Sequence, residues 1–398
     1  FEKFSLSKDF SMRKLFIKAA AFGLAAAMLL SGCSTNEQSK EDSPAGTLDE
    51  SNPTAGTIDE EKAPAGTYKV QTSYVNIYGD GMFYESQMRL KYIDFTNMND
   101  VFVCPYPNCT HTDPSVCAAC GITIHPTVAD GYLYSFNSEI TFDRNSEPVT
   151  VLSVTKSGLD GTNRENYDEV ENAYMNSLST VVTSDSAVYF ANYKPQFDEM
   201  SGSTSNVYGY SLASYDLLTK EFKEYDLEVE GYGAGMSIMG VFDGEIYVLV
   251  SVSEDENVTE NTSHTLYRFN PLTESVNESD IEIDMSRTIA AASDDYLVYS
   301  TPEGTYVYTK DGSSTLFEEF SPSYGPIVNG ILFPSLLKNG AQAVDLSTME
   351  LIPVRLESSL INPTIVYYID GSYVMQGIDT EQNEMVFTKV PQDEVLNN

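Results

Sequence analysis

The chain has 398 residues, with 22 Lys and Arg against 59 Asp and Glu, a formal net charge of −37 and no Trp. That charge excess repels polyanions, which argues against nucleic acid, teichoic acid or anionic lipid headgroups as partners of the folded part. Only five Cys are present, and four of them fall within one short segment.

In chain order, residues 1–11 fit no targeting pattern and read as an upstream extension. Residues 12–32 read as a signal peptide: Arg13 and Lys14 follow Met12 and precede an apolar run from Ala19 to Leu30, interrupted only by Gly23. As a helix that run is about 18 Å long, too short for the roughly 30 Å of a bilayer core. The tetrad Leu30-Ser31-Gly32-Cys33 resembles the lipobox of bacterial lipoproteins. The resemblance implies cleavage before Cys33 and a diacylglycerol on its thiol, hence an extracytoplasmic protein held to the cell membrane. A plain secretory signal with a chance Cys is the alternative. Ser34 stands directly after Cys33, without the Asp that retains lipoproteins at the inner membrane of two-membrane hosts.

Residues 33–66 read as an acidic, disordered linker. Positions 34–66 hold eight acids and two lysines, with Leu48 and Ile58 as their only large apolar side chains, too little to bury. A Pro/Thr-Ala-Gly-Thr echo recurs at Pro44, Thr54 and Pro64. Without residues 1–32 the chain keeps 17 basic and 57 acidic residues, a net charge near −40.

From residue 67 to 392 the pattern is strand-like throughout. Seven times a turn pair leads into an apolar or aromatic run, at Asp80, Asp130, Asp185, Asp243, Asp295, Asn329 and Asp370. Asp-Gly and Asn-Gly tolerate the positive φ of tight hairpins, and the next residues pack a sheet face. The spacings are 50, 55, 58, 52, 34 and 41 residues, a period suited to four-stranded propeller blades. Tyr92-Ile-Asp94, Tyr215-Asp216, Phe269-Asn270 and Val344-Asp345 read as turns between outer strands. The fold expected is an all-β propeller of seven blades, with six or eight open and a β-sandwich array as the alternative. Tyr68 to Gln71 is expected to close the last blade beside residues 363–389.

Together with Lys156-Ser-Gly-Leu-Asp160-Gly-Thr-Asn163, these motifs resemble the TolB-like propeller lipoproteins of unknown function from anaerobic Gram-positive bacteria. In that group an insert of Cys, Cys, His and Cys follows the first blade. The segment 104–120 matches it at Cys104, Cys109, His111 and Cys117, while Cys120 is extra and an alternative ligand. Three thiolates and an imidazole suit a closed, structural zinc site. The other reading of the same residues is two disulfides, in any of three pairings. A catalytic Cys is disfavoured because the segment itself contains no Lys or Arg.

Enzyme signatures are missing: there is no Gly-x-Ser-x-Gly, no His-Glu-x-x-His and no phosphate loop, and His125 and His264 have no recognisable partners in sequence. Asp294-Asp295 and Glu318-Glu319 are expected on solvated turns. The sequence is best read as a monomeric, non-enzymatic binding or interaction module that takes a protein or small ligand on a propeller face. The alternatives are a propeller-type extracytoplasmic hydrolase or lyase, and a transport-associated solute-binding lipoprotein.

Overall fold

The computed structural model describes residues 68 to 396, apart from 72–74, 114–116, 121–123, 143–147, 178, 198–203, 254–261, 284–287, 319, 321–324, 336, 339, 357 and 382. The extension, signal peptide, Cys33 and linker therefore lie outside the described residues.

The described chain is almost entirely antiparallel sheet, arranged as consecutive sets of strands. Set I comprises Val75–Tyr78, Gly81–Ser86, Arg89–Asp94 and Asn99–Phe102. Set II comprises Ile124–Ala129, Tyr132–Phe142, Pro148–Gly158 and Glu165–Glu171. Sets III and IV form one continuous sheet, because the 21-residue strand Phe222–Phe242 ends the first and begins the second. Set III otherwise uses Val181–Thr183, Ala187–Phe197 and Thr204–Asp216; set IV uses Glu245–Ser253, Thr262–Asn270 and Ser275–Glu278. Set V runs from Thr288–Ala292 to Ser314–Phe317, and set VI from Ile327–Val328 to Glu350–Pro353. Set VII has three strands, Ile361–Ile369, Ser372–Asp379 and Glu384–Pro391.

Each of the seven turn signals falls between the first and second strands of one set. At Asp130-Gly131, Asp243-Gly244, Asn329-Gly330 and Asp370-Gly371 both residues have positive φ, the backbone of a tight hairpin. The second group of signals falls between third and fourth strands. There Asp94, Asp216, Asn270 and Asp345 each accept a backbone N–H two residues ahead, at 2.8, 2.9, 3.0 and 2.8 Å.

A single sheet of this kind cannot bury both faces, and alternation along each strand shows where the second face goes. In Gly81–Ser86, Met82 and Tyr84 pack against Val374 of set VII, whereas Phe83 packs with Leu133 of set II. The other apolar clusters join II to III around Phe136 and Phe190, III to IV around Leu212 and Val248, and IV to V around Leu266 and Leu297. They continue from V to VI around Val307 and Val344, and from VI to VII around Phe333 and Tyr373. Every set thus packs on its two neighbours and the last returns to the first, which is the architecture of a β-propeller.

First strands of neighbouring sets approach one another at the centre. Asn76 Nδ2 donates to Pro126 O across sets I and II at 2.6 Å. Gly240, at φ 149°, lies so close to set V that a Cβ would stand 2.5 Å from the Ala292 methyl, so only glycine fits.

The expected closure by the N-terminal strand is not what forms. β1 (Lys69–Gln71) pairs antiparallel with Val181–Thr183 of set III, Lys69 opposite Thr183 and Gln71 opposite Val181. It lies 114 residues from its partner and leaves set VII with three strands. The reason is local to set III: Val181–Thr183 is a short inner strand with a free edge, and Tyr68 gains an edge-on contact with Tyr189 at 6.3 Å. Closure between VII and I rests instead on Met82, Tyr84, Ile93, Phe95 and Val374, all buried. At about 2 kcal/mol per buried side chain, as an upper bound, that is roughly 10 kcal/mol, well above the few net hydrogen bonds a three-residue pairing supplies at about 1 kcal/mol each.

Candidate metal centre and an aromatic groove

The segment after Phe102 is held by its neighbours before any metal is considered. Val103 N donates to Leu90 O at 3.0 Å and Leu90 N to Ala119 O at 2.8 Å, so the two ends of the insert flank the start of Arg89–Asp94. From set II, Arg164 Nη1 donates to Ala118 O at 2.8 Å, and Gly161 tucks beneath Val103 and Ala118. Cys109 N donates to Tyr106 O at 3.1 Å and Cys117 N to Asp113 O at 3.0 Å, and His111 has a positive φ of 52°.

The result brings together Cys104 Sγ, Cys109 Sγ, Cys117 Sγ and a His111 ring nitrogen, all within 4.8 Å of one another. Among the described residues this is the one group of three or more His, Cys, Asp or Glu side chains placed to hold a metal ion. The four thiols of the segment are free, with no disulfide between them. His111 Nδ1 stands 3.3 Å from Cys117 Sγ, and the imidazole stacks on Phe102 at 4.1 Å between centroids. Tetrahedral zinc with Zn–S near 2.3 Å requires about 3.8 Å between sulfurs, so small side-chain adjustments meet it.

Cys120 lies outside this group. Its backbone is bridged to Arg89, its carbonyl receives Arg164 Nη1 at 3.4 Å, and its thiol is within hydrogen-bonding reach of the Cys117 thiol. Burial raises the Cys104 and Cys117 thiols to about 11, whereas the His111 backbone N–H holds Cys109 below the usual thiol range. Burial, with the Arg89 charge, lowers the His111 pKa and so favours the neutral imidazole that a ligand must be. The insert has no cation of its own, but set I supplies two: Arg89 and Lys91 sit over the Phe102 ring, at 5.9 and 5.0 Å.

The remaining candidates form no catalytic constellation. His125 is fully buried, with Nε2 3.4 Å from Asn176 O and Nδ1 unpartnered. His264 does have a partner that the sequence did not reveal: its cross-strand neighbour Ser251, with Oγ 2.8 Å from Nδ1. Its Nε2 is buried, and among the described residues no acid completes a triad. Asp294 and Asp295 share Lys310 at 3.1 and 3.0 Å on the surface; Glu318 is exposed and Glu319 lies outside the described residues.

A second feature was not anticipated. Beyond the core of set III, Tyr193, Tyr208 and Tyr210 meet on one face, with Tyr174 beside them. Tyr193 lies 5.5, 6.0 and 5.2 Å from Tyr174, Tyr208 and Tyr210, at interplanar angles of 70°, 46° and 47°. Asn176, Gly233 and Ala234 complete an open groove of about 350 Å³. The tyrosines alternate within strands, which reads equally well as core packing, so the sequence carried no separate signal for it.

No protein-family model and no curated protein matches the sequence. Among solved structures, the chain is similar to the β-propeller domain of the Trilobed protease from Pyrococcus furiosus, at 10% identity and a TM-score of 0.43, covering 80% of this chain and 94% of that one. It is also similar to the Pyrococcus horikoshii acylaminoacyl peptidase, at 10% identity and TM-score 0.45, covering 77% of this chain but only about half (49%) of that one. A third is the N-terminal domain of Nup159, at 10% identity and TM-score 0.32, with 80% and 75% covered. At these scores the propeller assignment rests on the sheets and clusters described above, not on the likenesses.

Proposed function

We propose that this chain is an extracytoplasmic lipoprotein of the TolB-like propeller group, lipidated at Cys33, whose seven sets are seven blades. It acts as a non-enzymatic binding module, and its Cys104, Cys109, His111 and Cys117 hold a structural zinc ion. The observation that carries the reading is the metal centre itself. Three thiols and an imidazole converge at the junction of sets I and II, and as ligands they would fill a tetrahedral zinc and leave no position for a water or substrate. Such a site staples a Pro-rich insert rather than performing chemistry. A hydrolase or lyase would need a free acid or base at a channel mouth. The half-buried carboxylate of Glu224 lies on the outer strand of set III, where it is engaged by Ser211, by Lys194 at 2.9 Å and by Asn192 at 3.0 Å.

Metal analysis of the full chain purified under reducing conditions tests the centre. About one zinc per chain is expected, lost in Cys117→Ser and retained in Cys120→Ser. Less than about 0.2 zinc per chain, with two disulfides by mass spectrometry, overturns it. For the anchor, Cys33→Ala should release the protein to the medium or leave it uncleaved; a correctly processed variant that stays with the membrane rules the anchor out.

A further inference from the structure

We infer that the tyrosine groove of set III binds an organic cation of the quaternary-ammonium class. This rests on the binding-module reading and gives that module its ligand chemistry.

The groove is walled by ring systems and a small floor, and among the described residues no charged side chain lines it. Its rings are set at 46° to 70° to Tyr193, so they stand as differently facing walls rather than as one flat platform. An alkylated ammonium spreads its charge over several methyl groups and has no N–H to satisfy. It therefore gains from several π-faces at once, and loses little by leaving water. A volume of about 350 Å³ lies at the small end of ligand pockets and suits a compact cation with one further substituent.

Electrostatics decide between this occupant and a neutral one. The chain carries a net charge of −37, which concentrates cations near its surface. Lys194, adjacent to Tyr193, points to the opposite face by strand alternation and is neutralised there by Glu224 and Glu228 at 2.9 and 3.0 Å. Burial, with the neighbouring tyrosines, lifts the Tyr193 phenol to about 12, so the ring presents its quadrupole and not a phenolate. A neutral sugar would gain nothing from the field, and the groove offers it one side-chain amide, Asn176, besides phenol hydroxyls.

The test uses the full, metal-loaded chain and choline, with calorimetry for affinity and saturation-transfer NMR of the N-methyl protons for contact. The control is choline's uncharged isostere, with carbon in place of the quaternary nitrogen. Choline should bind roughly tenfold more tightly than the isostere. Tyr193→Ala should weaken choline by about tenfold or more, whereas Tyr193→Phe, which keeps the ring, should stay within about threefold. Tyr208→Ala serves in place of Tyr193→Ala if that variant fails to fold. The inference is overturned if choline does not bind, if the isostere binds equally well, or if Tyr193→Phe loses as much as Tyr193→Ala. A neutral saccharide or peptide that binds and is lost in Tyr193→Ala, while choline does not bind, removes this inference and keeps the binding module. Conversion of choline to a new species in the same NMR sample removes the non-enzymatic reading and leaves the groove's cation preference standing.

Discussion

His125 shows how one side chain sets a pH limit on the fold. Its Nε2–H has a long bond to Asn176 O, and its Nδ1 faces no acceptor, so protonation would bury an unpaired charge; burial accordingly lowers its pKa to about 4. In the unfolded chain the value is near 6.5, so on acidification the unfolded state takes up the proton first. Stability is therefore full above about pH 6.5 and is lost as pH falls towards 4, by about 2 kcal/mol at pH 5. His125→Asn, which tolerates the residue's φ of 49°, should abolish this share. Urea midpoints at pH 7 and pH 5 measure it, and an unchanged pH dependence in the variant refutes the assignment. At this scale the Asx turns at Asp94, Asp216, Asn270 and Asp345 were legible because each bond spans two residues. The meeting of Tyr174, Tyr193, Tyr208 and Tyr210 was not, since it depends on the register between Ala187–Phe197 and Thr204–Asp216, which no turn pair in the sequence fixes.

Among the elements, β1 departs from expectation, and its placement makes a prediction about the ring. Because sets VII and I meet through buried side chains, a chain beginning at residue 72 should fold with the Cys–His cluster intact. Its melting temperature should fall by no more than about 5 °C, the scale of one or two kcal/mol in a domain this large. A molten or aggregated product would show that β1 is needed for closure after all. Conversely, Gly240→Ala should cost about 2 kcal/mol, since the added methyl meets Ala292 where sets IV and V join; thermal unfolding reads it. The hairpins were legible from paired turn residues. The partner of a three-residue strand was not, because it is decided by whichever sheet edge is left open in the assembled ring.

For the whole molecule, charge is the dominant long-range force. The ion pairs seen, such as Lys310 with Asp294 and Asp295, lie on the surface and contribute little, while unpaired carboxylates repel one another over the Debye length. Raising salt from about 10 to 150 mM should thus raise the melting temperature, and a fall would mean that attractive pairs outweigh the repulsion. The position of β1 also has a mechanical consequence. Tension applied from the N-terminal side reaches the propeller through Tyr68 and pulls on three residue pairs before it reaches Val75 and set I. Those pairs should yield first and release residues 68–74, about 25 Å of contour length, while the clusters between sets stay closed. In a force-extension trace this is a small early step preceding any large one, a built-in shock absorber between whatever holds the chain and the ring it carries.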